Sequence, residues 1–294
     1  MAVRLIINAD DFGLTPGINR SIADLHHADV VTSATLMAAG PAFEDAVALA
    51  RSLPGLGIGC HIVLTDGKPV SPPREIPTLL GPDRLHFRPS LLHFAYDLLR
   101  GTINATEIRH EAAAQLEKLE QAGIAITHVD THKHTHLLPR VAATLLNLLT
   151  RTSIGAIRNP FEPRFARCLP GASYKRRLQL SLLSRFKPAF DRLAVDTLTT
   201  DGTIGIAATG RLDRAALQRL LAALPSTGLF ELVCHPGYND ADLDRIATRL
   251  RSQRDTERKA LLSEVLNTLS LPNPPQLIHY GDLEPQQPKA GWID

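Results

Sequence analysis

The chain has 294 residues and a formal net charge of +2, with 32 lysines and arginines against 30 aspartates and glutamates. This balance does not favour a nucleic-acid binder. The apolar content of 44% is ordinary for a globular protein, and the three cysteines are too few and too scattered for a disulfide framework. No apolar run is long enough to span a membrane, so we expect a cytoplasmic protein.

Strands and helices alternate over the first 64 residues. Apolar and β-branched runs predict strands over 3–7, 30–37 and 56–64, and helical periodicity predicts helices over 16–27 and 42–53. Thr15 and Pro16 supply an N-cap and a first-turn proline for the first helix. This alternation is typical of parallel strands joined by crossover helices.

Residues 65–90 contain six prolines and predict a long loop, after which the alternation resumes. Helices are predicted over 91–99, 105–122, 138–149, 213–224 and 241–269, and strands over 124–130, 154–157, 228–234 and 276–280. Residues 284–294 read as a loose tail. No linker divides the chain, so we expect a single domain over residues 1–294.

A basic stretch at 161–196 interrupts the alternation. It carries eight lysines and arginines against three acidic residues, with leucines interleaved. The pattern predicts a helical insertion. This insertion is either an ordinary solvated basic helix or an amphipathic segment that meets an anionic lipid surface or an apolar substrate.

Two adjacent carboxylates, Asp10 and Asp11, lie between the first strand and the first helix. Ligands bind at the carboxyl ends of strands in α/β folds, and adjacent strand residues point to opposite faces. One aspartate could therefore hold a cation while the other handles a proton. The alternative is an ordinary turn, because Asp-Asp-Phe-Gly is also common strand-end punctuation.

The most specific motif runs from Thr127 to His136, where histidines and one aspartate occupy alternate positions. These residues are His128, Asp130, His132, His134 and His136. In an extended strand they would share one face at intervals of about 6.5–7 Å. One ion with ligand bonds near about 2.0–2.2 Å would bind at most one or two of them. The others would orient the ligands or contact substrate.

Several predicted strand ends thus offer an ionisable or metal-binding group. They carry the Asp10–Asp11 pair, His61, His132, Arg158 and His235. Histidines with a carboxylate suit zinc, iron, manganese or a similar divalent ion and leave coordination positions open for water and substrate. A nearby carboxylate and histidine could then serve as base and acid in a hydrolysis.

These residues resemble the YdjC-like carbohydrate deacetylases, a family that includes a chitooligosaccharide deacetylase. The resemblance covers most of the chain and rests on four motifs: Asn8 to Gly13, Gly59 to His61, Thr127 to His136, and Cys234 to Tyr238. It implies an α/β fold, an irregular (β/α) barrel of mostly parallel strands similar to that of polysaccharide deacetylases. The basic stretch would then be a helical insertion in this barrel.

The resemblance also implies a reaction, the metal-dependent hydrolysis of the acetamide of an N-acetylglucosamine-type sugar. It implies metal ligands Asp11, His61 and His132, with Asp10 as general base and His235 as general acid. Further candidates for substrate binding or ligand orientation are His128, Asp130, His134, His136, Arg158 and Tyr238. The cofactor would be one divalent ion, magnesium or zinc first, with manganese, cobalt and nickel as alternatives.

Residues 130–139, 158–163 and 205–210 most resemble the hopanoid-biosynthesis-associated branch of the family. That branch implies an N-acetylglucosaminyl hopanoid (N-acetylglucosaminyl bacteriohopanetetrol) as substrate, and residues 161–196 would contact the inner-membrane surface. A soluble chitooligosaccharide is the alternative substrate. A metallo-phosphoesterase and a non-catalytic sugar-lipid or metal-binding protein are the alternative classes. A homodimer is the default quaternary expectation.

Overall fold

The computed structural model describes residues 2–169 and 174–284, and the predicted tail at 284–294 lies outside this range except for Glu284. Within the described residues, seven strands form one parallel sheet: β1 (Arg4–Phe12), β2 (Ser33–Leu36), β3 (Gly57–Ile62), β4 (Val129–Thr131), β5 (Gly202–Ile204), β6 (Leu229–Cys234) and β7 (Gln276–Leu277). Their order is β4-β3-β2-β1-β6-β5, and β7 pairs with the start of β1. The long strand β1 therefore lies at the centre of the sheet.

The sheet curls into an irregular barrel. Beyond β4, Val129 forms a parallel bridge with Ile157, and Ala156 forms another with Leu198. Leu198 lies shortly before β5, which pairs with β6, and β6 pairs with β1. The backbone pairings thus return to β1, and the predicted barrel of parallel strands is confirmed.

Helices connect these strands. They are α1 (Pro16–His27), α2 (Phe43–Ser52), α3 (Leu91–Leu99), α4 (Ala105–Gln121), α5 (Pro139–Leu149), α6 (Arg164–Arg167), α7 (Tyr174–Leu183), α8 (Lys187–Leu193), α9 (Arg214–Ala222), α10 (Ala241–Asp244) and α11 (Ser252–Leu269). The basic stretch forms α6, α7 and α8, so its prediction as a helical insertion is confirmed for the described residues. No helix within the described residues is long and apolar enough to cross a membrane.

Several predicted boundaries were wrong. β1 continues to Phe12, so both aspartates lie within the strand and not after it. The strand predicted over 124–130 is limited to Val129–Thr131, and the one over 154–157 is reduced to isolated bridges. The helix predicted over 241–269 is divided into α10 and α11. β5 was not predicted, because its three residues give no usable alternation.

The turn after β1 fixes where the two aspartates lie. The N–H of Gly13 donates to Oδ1 of Asn19 at 2.7 Å, and the hydroxyl of Thr15 caps α1 by accepting from the N–H of Ile18 at 3.2 Å. Gly13 has a φ of +90°, where side chains are strained. A Cβ on Gly40 would lie 2.3 Å from the carbonyl oxygen of Gly13, so both positions require glycine. The turn is therefore tightly packed against the start of α2.

Candidate metal and catalytic site

Three side chains from neighbouring strand ends converge at the carboxyl end of the barrel. Oδ1 of Asp11 lies 3.7 Å from Nε2 of His61 and 3.6 Å from Nδ1 of His132, and the two nitrogens are 3.3 Å apart. Two donors that each lie about 2.1 Å from one ion are separated by about 3.0–3.4 Å in octahedral or tetrahedral geometry. The two nitrogens fall within this range and Oδ1 of Asp11 lies slightly beyond it, so this carboxylate and the two imidazoles form a candidate site for a divalent ion with open coordination positions.

The backbone and a distant arginine orient Asp11. Its φ of 65° lies in the left-handed region, which is uncommon for residues other than glycine. Its Oδ2 accepts a hydrogen bond from a terminal nitrogen of Arg254 at 2.5 Å, which leaves Oδ1 towards the two histidines. Burial raises the pKa of Asp11, but Arg254 and His132 outweigh burial and hold the pKa well below its usual range. Asp11 is therefore an anion that offers one free oxygen.

Asp10 has a different set of partners. Arg158 donates to both of its carboxylate oxygens, at 2.7 and 3.0 Å, in a bidentate pair. Asn8 donates to Oδ1 at 3.0 Å and Thr35 at 3.3 Å. Burial raises the pKa of Asp10, but Arg158, together with His61 and His235, holds the pKa well below its usual range. Asp10 is thus also ionised, and its position is fixed.

Arg158 is fully buried and joins the acidic groups of the site. Besides Asp10, it pairs with Asp130 and donates to Oε1 of Glu231 through Nε at 2.8 Å. The hydroxyl of Tyr280 donates to the other oxygen of Glu231 at 2.6 Å. Burial lowers the pKa of Arg158, but the three carboxylates raise it well above its usual range. Arg158 therefore remains a cation, paired from several sides.

His61 is oriented by Asp130. Nδ1 of His61 lies 2.7 Å from Oδ1 of Asp130, so the opposite nitrogen, Nε2, faces Asp11. A carboxylate behind a metal-binding histidine commonly fixes the ring in this way. Burial lowers the pKa of His61, but Asp130 and the two neighbouring aspartates raise it to about 9. Asp130 thus orients the ring of His61, a member of the candidate donor triad.

His235 follows β6 and lies beside Asp10. Its Nε2 is 3.7 Å from Oδ2 of Asp10, and within the described chain its Nδ1 has no hydrogen-bond partner. Burial lowers the pKa of His235 by more than Asp10 and Asp11 raise it. The imidazole is therefore neutral near pH 7, and one ring nitrogen faces the fixed carboxylate.

The histidine run does not form an extended strand, and the expectation of one shared face was wrong. β4 ends at Thr131, and His132–Leu137 forms a tight helical segment in which Lys133 and His134 have φ values of 55° and 52°. These left-handed residues put a kink in the chain directly after His132. His132 therefore joins Asp11 and His61, whereas His134 is directed elsewhere.

The other histidines of the run support this segment. Nδ1 of His136 lies 2.6 Å from the hydroxyl of Thr131, and its Nε2 lies 3.2 Å from the carbonyl oxygen of Arg158. The ring of His134 lies 6.4 Å from that of His136. Burial and Arg158 lower the pKa of both rings, to about 3 for His136, so both are neutral. His136 links the segment to the backbone that carries Arg158.

The structure does not bring His128 or Tyr238 to the donor triad. His128 stacks on Tyr280 with ring centroids 3.8 Å apart, and a Cβ on Gly59 would lie 2.4 Å from its ring. The hydroxyl of Tyr238 donates to Asp24 at 2.7 Å, and its ring lies beside the guanidinium of Arg258. Nδ1 of His128 also lies 2.9 Å from the hydroxyl of Thr127, and the contacts of Tyr238 connect the site-bearing loop to α1 and α11.

Sequence reasoning missed two charged residues of the site. Glu231 interrupts the apolar run of β6. A charged residue within a strand that is predicted to be buried was a signal that could have identified it as part of the site. Arg254 gave no such signal, because its neighbours in α11 are polar and its partner, Asp11, is 243 residues away. α11 buries Arg254 and Glu257, whereas a surface helix would expose such residues.

Comparison with known families identifies the chain as a member of the YdjC-like protein family, whose profile matches residues 4–270. It is 32% identical over 283 residues to the carbohydrate deacetylase of Brevibacillus brevis, covering 96% of this chain and all of that protein. It is also 32% identical over 241 residues to the chitooligosaccharide deacetylase of Salmonella typhimurium, covering 80% of this chain and 82% of that protein.

The fold also matches a solved structure. A crystal structure from Enterococcus faecalis, described as that of a "putative cellobiose-phosphate cleavage protein", aligns with a TM-score of 0.75 at 24% identity. The alignment covers 95% of this chain and 98% of that one. This similarity extends over the whole barrel and supports the fold alone.

Proposed function

We propose that this protein is a metal-dependent deacetylase that hydrolyses the acetamide of an N-acetylglucosamine-type sugar. The observation that carries the proposal is the donor triad of Asp11, His61 and His132 beside a second fixed carboxylate, Asp10. The relatives described as carbohydrate and chitooligosaccharide deacetylases support the same reaction. The products are acetate and the free glucosaminyl amine.

Asp11, His61 and His132 are the ligands in this proposal. A divalent ion bound by them supplies Lewis acidity, which activates water and polarises the acetamide carbonyl. Two histidines and a carboxylate accept several divalent ions, of which magnesium and zinc are our first choices. Asp130 keeps Nε2 of His61 directed towards the triad, and Arg254 keeps one oxygen of Asp11 available.

Asp10 acts as the general base. It removes the proton from the attacking water while the oxygen forms its bond to the acetamide carbon. Because Arg158 lowers the pKa of Asp10, the carboxylate holds this proton only transiently. Nε2 of His235 lies 3.7 Å away and is neutral, so it can receive the proton.

His235 then acts as the general acid. Its imidazolium donates the proton to the leaving nitrogen as the carbon–nitrogen bond breaks, which regenerates the neutral imidazole. The proton taken from water thus ends on the amine, and the hydroxyl oxygen ends in acetate. Arg158 donates to both oxygens of Asp10, including the Oδ2 that faces His235, and so keeps the base in position.

For the acceptor, we favour a sugar carried on a hopanoid lipid over a soluble chitooligosaccharide. The resemblance of residues 130–139, 158–163 and 205–210 to the hopanoid-associated branch supports this choice, and so does the basic, leucine-bearing insertion. The same chemistry serves both acceptors, so the preference concerns recognition only. We propose a cytoplasmic location, at the surface of the inner membrane.

The test incubates the purified, metal-stripped protein with magnesium, zinc, manganese, cobalt or nickel. Each sample receives either a short chitooligosaccharide or an N-acetylglucosaminyl lipid, and acetate release is measured. We expect acetate from the lipid-linked sugar with at least one metal and none with a chelator. A phosphorylated sugar serves as a parallel substrate.

Each outcome separates the alternatives. Acetate from the soluble sugar alone would reject the hopanoid acceptor and leave the deacetylase intact. Phosphate release without acetate would instead indicate a phosphoesterase. Tight binding of both sugars without turnover under any metal would indicate a non-catalytic binding protein.

A further inference from the structure

We propose that the outer face of α7 docks this protein on an anionic lipid bilayer. This face, called the α7 stripe below, consists of Tyr174, Leu178 and Leu182, which recur every four residues and so lie on one side of the helix. Their side chains are 81%, 50% and 49% exposed. Three large apolar side chains thus share an outward face.

The opposite face of α7 is anchored to the barrel. Leu180 is buried in a small cluster with Ile206 and Val233, and Val233 lies in β6 two residues before His235. Arg176 donates to the carbonyl oxygen of Ile206 at 3.3 Å. α7 therefore lies beside the strand that carries the proposed general acid, and its outer face points away from that strand.

Charge on this segment favours an anionic surface. Residues 174–186 contain Lys175, Arg176, Arg177 and Arg185 and no acidic residue. Lys175 is exposed and falls near the α7 stripe on a helical projection, and Arg185 is exposed in the short 3-10 turn (Ser184–Phe186) that follows α7. Apolar side chains flanked by basic ones are typical of helices that lie in the interface of anionic membranes. We therefore commit to an anionic bilayer as the occupant of this face.

α3 provides a control for exposed apolar surface alone. Leu92 and Leu99 on its outer face are 77% and 78% exposed, more than the leucines of the α7 stripe. However, its only formally charged residue is Asp97, which pairs with Arg88 at 2.8 Å. If exposure alone drove docking, α3 would bind lipid at least as well as α7.

This inference depends on the proposed function only in giving the docked enzyme a lipid-linked sugar to act on. Its test is a vesicle co-sedimentation assay that needs no turnover. The full-length protein is mixed with vesicles of phosphatidylcholine alone or with about one third phosphatidylglycerol. The variants are Leu178→Ser/Leu182→Ser in the α7 stripe, Lys175→Gln/Arg185→Gln beside it, and Leu92→Ser/Leu99→Ser on α3.

We expect the wild type to bind the phosphatidylglycerol vesicles and not the neutral ones, and to dissociate at high salt. The leucine variant of α7 should lose at least tenfold in affinity, and the charge variant about fivefold per residue removed. The α3 variant should bind as the wild type does. All variants should keep the circular dichroism spectrum and melting temperature of the wild type, which shows that they are folded.

Equal binding to both vesicle types, or full binding by the leucine variant of α7, would overturn the proposal. So would a solution dimer that the same variant converts to monomers, because a second copy would then cover this face. Vesicle binding without acetate release would contradict the proposed function and leave the docking surface standing. Acetate release without vesicle binding would contradict the docking surface and leave the proposed function standing.

Discussion

Asp10 and Asp11 are neighbours in β1 and are equally buried, yet they face different halves of the site. Asp11 faces His61, His132 and Arg254, whereas Asp10 faces Arg158 and His235. One half places two imidazole nitrogens around one oxygen of a carboxylate whose other oxygen is held by Arg254. The other half occupies both oxygens of its carboxylate with one guanidinium. The groups opposite each aspartate, and not its burial, therefore determine what it can do.

The largest expected effect comes from the half of the site around Asp11. Replacing His61 or His132 with alanine removes one of the three proposed ligands, so we expect loss of bound metal and acetate release at background. Metal content is measured by mass spectrometry after dialysis, and activity by acetate release. Replacing the exposed His93 on α3 with alanine is the control and should change neither. Full metal content and activity in either ligand variant would exclude that histidine as a ligand.

Asp10→Asn should separate the two halves. It removes the base but none of the three ligands, so we expect bound metal to be retained and turnover to fall by about 10²–10⁴. Thermal unfolding is recorded beside the kinetics, because Arg158 loses one charged partner. If metal content fell while Asp11→Asn retained it, the two aspartates would have exchanged roles.

The sequence predicted the positions of these groups better than their geometry. Thr15 and Pro16 determine the start of α1 locally, and the apolar run of β1 is evident, so the carboxyl end of this strand could be predicted. The left-handed backbone at Asp11 and His134 could not, since it depends on tertiary packing. The pairing of Asp11 with Arg254 also required the fold, because 243 residues separate the two.

A smaller effect is expected at Asp130, which contacts the proposed ligand His61. Asp130→Asn keeps the shape of the side chain but weakens its hold on Nδ1 of His61. Changes at such orienting residues commonly cost about 10–100-fold in metal affinity or activity. We expect a loss of this size in metal affinity, measured by isothermal titration calorimetry. Asp83→Asn is the control, since the exposed Asp83 pairs with the half-buried His86 far from the triad in sequence. An unchanged affinity in Asp130→Asn would mean that His61 is oriented without it.

The smallest effect is expected at a third buried carboxyl group, that of Glu162. Measuring it tests why the two aspartates are ionised. Glu162 accepts hydrogen bonds from the N–H groups of Gly205 and Ala207, at 2.9 and 2.8 Å. Burial raises the pKa of Glu162, whereas these N–H groups and the charges of Arg176 and Arg167 lower it. The effect of burial is larger, and the resulting pKa is about 7. Burial is thus the stronger influence on Glu162, whereas facing arginines prevail at Asp10 and Asp11.

The raised pKa of Glu162 determines the direction in which the free energy of unfolding changes with pH. Between about pH 4.5 and about pH 7 the folded state binds more protons at Glu162 than the unfolded state does, so stability falls as pH rises. The contribution of this group is on the order of 3 kcal/mol. Glu162→Gln cannot ionise, so urea unfolding should show a shallower fall in stability over this pH range. An identical fall in both proteins would mean that Glu162 is ionised in the folded state. Burial would then not raise the pKa of a carboxyl group in this part of the barrel, contrary to the argument made for Asp10 and Asp11.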